Sequence, residues 1–111
     1  STRRCFDGRT NIATKYNGDI MIKHLTLGQE LLDGSIVTAL TKSTSTDSVL
    51  YRLGNTIVTG THKIFDASNG WIDVSNYNNK LLVENFRDPY VYCIGTNNKL
   101  IKINFNLCMV Q

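Results

Sequence analysis

Turn-forming dipeptides divide this chain into short segments, and their spacing constrains the fold more than any other feature. Asn17-Gly18, Asp33-Gly34 and Gly54-Asn55 each separate two short runs of apolar or β-branched residues, and the stretch 95–98 separates two more. Asn-Gly between such runs is the strongest short-range hairpin signal. Many short strands about 8–12 residues apart, with turns between them, are typical of all-β proteins. We therefore predict an all-β fold.

The same pattern predicts individual elements. No window has a sustained apolar period of 3.6 residues, so we expect little helix. The segment 23–31 fits either a single helical turn or an extended crossing. Trp71 should lie in a strand and anchor the core, because a large aromatic side chain gains most from burial. We expect three hairpins, which pair residues 11–16 with 20–22, 49–53 with 56–59, and 90–94 with 100–103.

Composition limits the range of functions. A chain of 111 residues, 41% hydrophobic and 19% charged, fits one globular domain. The net charge of +3 is mild and the basic residues are scattered apart from Arg3-Arg4, so nucleic-acid binding is not indicated. There is no apolar run of about 18 residues, so no spanning helix is expected, and no signal peptide is visible. We expect neither a nucleic acid nor a membrane among the partners.

The three cysteines, Cys5, Cys93 and Cys108, are widely separated. Without a C-x-x-C pair they argue against a structural zinc site and against a disulfide scaffold. The simpler expectation is three free thiols in a reducing compartment, and the alternative is one disulfide with one free thiol. No cofactor and no metal are predicted.

Val58-Thr59-Gly60-Thr61-His62 places two hydroxyls and an imidazole at the end of a predicted strand. Side chains alternate along a strand, so Thr59 and His62 would point to opposite faces unless the backbone bends. Gly60 permits such a bend, which would let Thr59 and His62 converge on Cys5. The alternative is a solvated strand end with a surface histidine.

Four separated blocks resemble the Hint superfamily, which comprises hedgehog autoprocessing domains and inteins. The block Cys5 to Ile12 is similar to the opening pattern Cys-Phe-x-Gly-x-Thr-x-Ile/Val, and 27–37 is similar to the next block. Val58 to His62 matches the Thr-x-x-His block, and Tyr90 to Thr96 resembles the late block before the last strands. The resemblance covers residues 5 to about 103.

This resemblance implies an intein-like β-horseshoe of two pseudo-two-fold related halves, with residues 1–4 as a flank and 5–111 as the self-processing domain. Cys5 would attack the carbonyl carbon of Arg4 and convert the Arg4-Cys5 peptide bond to a thioester, an N-to-S acyl shift. His62 would protonate the leaving amide nitrogen as general acid. Thr59 would hold that amide and orient His62. Such a domain acts once on its own N-terminal polypeptide and is an enzyme only in a loose sense.

The sequence departs from the family pattern at two places. Gln29 replaces the usual Asp, and the tail from Asn104 to Gln111 lacks the His-Asn pair that inteins place before a second nucleophile. Splicing in cis is therefore not predicted. Either an external nucleophile (water, a thiol or an alcohol) resolves the thioester, or a complementary C-terminal fragment supplies the missing chemistry.

The sequence also allows other interpretations. Cys93 lies in an apolar run and is either a buried small side chain or a thiol that modulates and redox-gates Cys5. The whole domain could be a catalytically inactive Hint fold, or a small β-barrel that binds ligands through its aromatic side chains.

Overall fold

The structure, a computed structural model, describes residues 3–103 and 106–111. Within those residues the fold is all-β, as predicted, with two single 3₁₀ turns and no α-helix. None of these helical turns is long or apolar enough to cross a membrane. The strands are β1 (Asn11–Ala13), β2 (Asp19–Met21), β3 (Val37–Thr44), β4 (Leu50–Leu53), β5 (Thr56–Thr59), β6 (Lys63–Asp66), β7 (Gly70–Asp73), β8 (Leu81–Val83), β9 (Tyr90–Thr96), β10 (Leu100–Ile103) and β11 (Asn106–Met109). The 3₁₀ turns are Ile22–His24 and Val74–Asn76. In the ambiguous segment 23–31, the first of these is followed by a short extended stretch and then by a second turn at Leu27-Gly28.

Two of the three predicted hairpins are confirmed. β1 pairs with β2 across Asn17-Gly18, and β4 pairs with β5 across Gly54-Asn55. Gly18 and Gly54 both have positive φ, which glycine adopts without the steric penalty of a Cβ. At these turns the local chemistry decides the structure, as the sequence suggests.

The third predicted hairpin is wrong. β9 pairs with β3, whereas β10 pairs with β11. The chain leaves β9 at Gly95 and Thr96, where the Thr96 amide donates to the carbonyl of Gln111 at 2.8 Å. The close approach of the C-terminal backbone therefore takes the place of a β9–β10 ladder.

The β3–β9 pair is the longest in the fold and carries an irregularity between Val37 and Ala39. The remaining strands form a sheet in the order β10-β11-β6-β7, a sheet in the order β5-β4-β8, and the small β1–β2 ribbon. The main core cluster includes the fully buried side chains of Phe6, Ile64 and Val74. Trp71 is only half-buried and packs edge-on against Phe65, so the prediction that it anchors the core is wrong.

A short N-terminal segment joins two of these sheets. Phe6 forms bridges with both Val58 of β5 and Tyr92 of β9. Its amide donates to the Tyr92 carbonyl at 2.7 Å, and the Tyr92 amide donates back at 2.8 Å. Cys5, immediately before Phe6, is thereby held between β5 and β9. Of the predicted flank 1–4, Arg3 and Arg4 are exposed, and Ser1 and Thr2 lie outside the described residues.

Candidate active site

The structure brings Cys5 and Thr59 into direct contact. The Cys5 amide donates a hydrogen bond to the Thr59 hydroxyl oxygen at 3.0 Å, and the Thr59 amide donates to the Cys5 carbonyl at 2.9 Å. Both residues are buried. The nitrogen of the Arg4-Cys5 peptide bond is therefore hydrogen-bonded to a side chain that lies 54 positions away in sequence.

A second hydroxyl extends this contact to the residues before Cys5. Thr61 donates to the carbonyl oxygen of Arg3 at 2.6 Å, and its hydroxyl lies 3.2 Å from that of Thr59. A hydroxyl has one hydrogen, and since Thr61 gives its own to Arg3, the Thr59 hydroxyl is left to donate to Thr61. The two threonines thus hold the backbone on both sides of Arg4. Both hydroxyls lie in the one motif predicted at the end of β5, but no role for Thr61 is predicted from the sequence.

Gly60 lies in the expected bend after β5, but the reason that glycine is needed there is not a bulged or left-handed backbone. The His62 amide donates to the Thr59 carbonyl at 3.1 Å and closes this turn. Gly60 is not left-handed, but a Cβ there would lie 2.7 Å from the ring of Tyr51. Glycine is needed at this position for space, and the resulting bend carries His62 into the interior.

His62 is fully buried, which excludes the surface-histidine alternative. Its ring packs against Phe6 with a centroid distance of 4.3 Å, and Nδ1 lies 3.2 Å from the carbonyl oxygen of Met109. A carbonyl only accepts, so Nδ1 carries the hydrogen and Nε2 has the lone pair. Within residues 3–103 and 106–111, Nε2 has no hydrogen-bond partner.

Burial lowers the pKa of His62 from 6.5 to about 4, because the imidazolium ion loses its hydration. The Met109 carbonyl opposes this effect, and the positive charge of Arg4 adds to it. The Arg4 backbone also favours the charged ring and so raises the pKa, although no hydrogen bond of ordinary geometry forms between them. At neutral pH the side chain is therefore a neutral imidazole near Arg4.

Met109 is a contact of the candidate site that the sequence does not indicate. It acts through its backbone carbonyl, so its side chain gives no signal in the sequence. Its strand, β11, lies between β10 and β6, and the latter follows His62 directly. Residues from both ends of the chain therefore build one site.

The Sγ atom of Cys5 forms a disulfide with that of Cys93 on β9, and the two Cα atoms are 4.4 Å apart. The expectation of three free thiols is thus wrong, and the alternative of one disulfide with one free thiol is correct. The two cysteines come together because the Phe6–Tyr92 bridge sets Cys5 beside Cys93.

Cys108 is the free thiol; it is buried, and desolvation raises its pKa to about 12. Among the described residues no three His, Cys, Asp or Glu side chains are grouped as metal ligands would be.

No protein-family model matches the chain, and no curated protein matches it. Several solved structures do, over nearly their whole length. The crystal structure of the gp41-1 intein is 18% identical, with a TM-score of 0.70 over 96% of this chain and 98% of the intein. A DnaB intein from Synechocystis sp. PCC 6803 is 15% identical, with a TM-score of 0.69 over 98% and 99% of the two chains.

The bacterial intein-like domain from Clostridium thermocellum is 14% identical, with a TM-score of 0.73 over 100% of both chains. Identities this low carry no information about activity, whereas TM-scores of this size over complete chains show a common architecture. The chain therefore has the fold of inteins and bacterial intein-like (Hint) domains.

Proposed function

We propose that this domain cleaves its own chain by an N-to-S acyl shift at the Arg4-Cys5 bond. The observation that carries the proposal is the hydrogen bond from the Cys5 amide to the Thr59 hydroxyl. That bond holds the nitrogen that must leave, and the buried His62 ring, whose Nε2 is vacant, interacts with the backbone of Arg4 on the other side of the same peptide bond. Any buried amide needs an acceptor; what supports the proposal is that a side-chain hydroxyl and a buried imidazole with a vacant nitrogen both occur around the same peptide bond.

The resting protonation state of His62 suggests the order of proton transfers. A neutral ring with a free Nε2 is a base, so it accepts the thiol proton of reduced Cys5. The thiolate then attacks the Arg4 carbonyl carbon and forms a tetrahedral oxyanion. Nε2 returns the proton to the Cys5 nitrogen as the carbon–nitrogen bond breaks, which leaves a thioester and a free amine. The pKa of about 4 favours this return, because a buried imidazolium is a strong acid.

The thioester is then resolved by an external nucleophile, which we take to be water, a thiol or an alcohol. A cavity of about 260 Å³ gives such a molecule room beside the site, because Thr59 and Thr61 both line it. Asp47 and Asp73 line the same cavity and offer hydrogen-bond acceptors to a small hydroxylic or thiol nucleophile. The alternative partner is a complementary C-terminal fragment, which would resolve the thioester in place of the small nucleophile.

The test fuses a reporter protein upstream of Ser1 and reduces the disulfide with a water-soluble phosphine, which frees Cys5 without itself cleaving a thioester. Hydroxylamine is then added, and mass spectrometry follows cleavage between Arg4 and Cys5. We expect hydroxylamine-dependent release that is absent in Cys5→Ala. His62→Ala should slow release roughly 100-fold or more, as expected for loss of a proton-transfer group.

Thr59→Val should slow the reaction about tenfold or more, because it leaves the scissile amide without its acceptor. Thr46→Val is the matched control, since Thr46 is exposed and distant in sequence from both motifs. A folded, reduced protein that shows no release over a day would overturn the acyl shift and would support the inactive Hint fold.

A further inference from the structure

The cavity of about 260 Å³ beside Thr59 and Thr61 is lined in part by the polypeptide that the reaction would remove. Arg3, the second residue before the scissile bond, forms part of its wall. The Thr61 hydroxyl donates to the Arg3 carbonyl at 2.6 Å, so a side chain of the domain holds the flank at this cavity. The upstream polypeptide therefore passes along the cavity as it approaches Cys5.

The charge that the domain contributes to this wall is negative. Among the described residues that line the cavity, the charged ones other than Arg3 are Asp47 and Asp73. Asp73 forms an ion pair with Lys63 at 2.6 Å. Asp47 is exposed and takes part in none of the three ion pairs found among the described residues. Asp47 is therefore the carboxylate whose charge is available to a cation in the cavity.

We propose that this cavity is a subsite for a basic residue two positions before the scissile bond, and that Asp47 determines the preference. The proposal rests on the proposed function, since the choice of flank matters only if the Arg4-Cys5 bond is cleaved. Self-processing is then selective for an upstream polypeptide with Arg or Lys at position 3. A flank with an acidic residue at that position is disfavoured.

Charge has an effect because the flank lies at the surface. Arg3 and Arg4 are both exposed, and the hydrogen bond from Thr61 to the Arg3 carbonyl joins two neutral groups. Such a contact is weak in water, so attraction between opposite charges adds to it and repulsion between like charges opposes it. Since Cys5 attacks the Arg4 carbonyl only in a docked flank, the charge at position 3 changes the fraction of molecules that can react.

The first experiment measures docking in the oxidised protein, in which the disulfide prevents Cys5 from attacking. A protease specific for arginine cuts after Arg4 when the flank leaves the cavity, so the cutting rate follows the undocked fraction. Mass spectrometry measures this rate, which is divided by the rate for a free peptide with the same flank sequence. We expect Asp47→Asn to raise the normalised rate about fivefold at low salt, and this difference to disappear near molar salt. Asp19→Asn is the matched control and should behave as the wild type, because Asp19 is exposed and does not line the cavity.

Exchange of the two charges supplies the sharper comparison. Arg3→Glu should raise the normalised cutting rate after Arg4 about tenfold, because attraction to Asp47 becomes repulsion. The double variant Arg3→Glu, Asp47→Lys should restore the wild-type rate. In the reduced protein with hydroxylamine, release of the upstream reporter should be about threefold slower or more in Arg3→Glu and should recover in the same double variant.

An unchanged cutting rate in Asp47→Asn, or no recovery in the double variant, would overturn the subsite. Reporter release at equal rates from the wild type and Arg3→Glu would overturn the preference for a basic flank. Protection that follows the charges, without reporter release from any variant, would instead show that the flank docks and the acyl shift fails, so the two proposals are tested separately.

Discussion

The buried, neutral state of His62 makes the stability of the fold depend on pH. The unfolded chain binds a proton at His62 below pH 6.5, whereas the folded protein binds it only below about pH 4. Between these values the unfolded state holds more protons, so the free energy of unfolding falls as the pH falls. The stabilisation is complete above 6.5 and is lost as the pH decreases towards 4.

The magnitude follows from the two pKa values. One pKa unit corresponds to about 1.4 kcal/mol, so lowering the pKa of His62 from 6.5 to about 4 corresponds to about 3 kcal/mol. A small domain has a total stability of roughly 5–15 kcal/mol, so this loss is large. Asp33, whose pKa is lowered from 3.8, loses its contribution only at more acidic pH and does not obscure this window.

Urea titrations of the oxidised protein at pH 7, 6, 5 and 4 measure the effect, and the single tryptophan, Trp71, reports unfolding by its fluorescence. We expect the wild type to lose about 3 kcal/mol across this range. In His62→Asn the loss should be largely absent, because the Asn amide can still donate to the Met109 carbonyl but does not titrate. His24→Asn, a change at an exposed histidine, is the control and should keep the wild-type slope. A flat wild-type profile, or an unchanged slope in His62→Asn, would refute the assignment of a buried neutral imidazole.

Three further predictions concern other parts of the site. Thr61→Val should slow reporter release roughly tenfold by removing the hydrogen bond to the Arg3 carbonyl, while Thr61→Ser should restore it; equal rates would contradict a positioning role. Gly95→Ala should lower the free energy of unfolding in urea by about 1–3 kcal/mol, because its Cβ would lie 2.8 Å from the Gln111 carbonyl oxygen; an unchanged midpoint would count against this close approach. Cys108 should resist iodoacetamide at pH 8 in the folded protein and react readily in urea, because burial raises its pKa to about 12; rapid labelling of the native protein would contradict that burial.

The sequence predicts those parts of the structure that depend on local chemistry. Asn17-Gly18 and Gly54-Asn55 specify their own turns, and Gly60 gives the bend that brings His62 to Thr59. The hairpin expected at 95–98 fails because β10 has a better partner in β11, and a pairing choice between distant strands leaves no local pattern.

The same limit applies to the site. Cys5 and Cys93 are separated by 88 positions, and only the positions of β5 and β9 around Phe6 bring them together. The Met109 carbonyl is a backbone group that every residue has, so no residue type could indicate it. Contacts between distant segments and contacts made by the main chain are thus the features of the site that cannot be predicted from the sequence.

The hydrogen bond between His62 and β11 also has a consequence for the timing of the proposed cleavage during synthesis. A ribosome makes Cys5 early and Met109 late, and a ring without its carbonyl partner has no fixed tautomer. Pairings between such distant segments also form slowly. We therefore expect a nascent chain to keep its upstream polypeptide attached until β11 has emerged and docked, so that the domain separates from its neighbour only after it has been completely made.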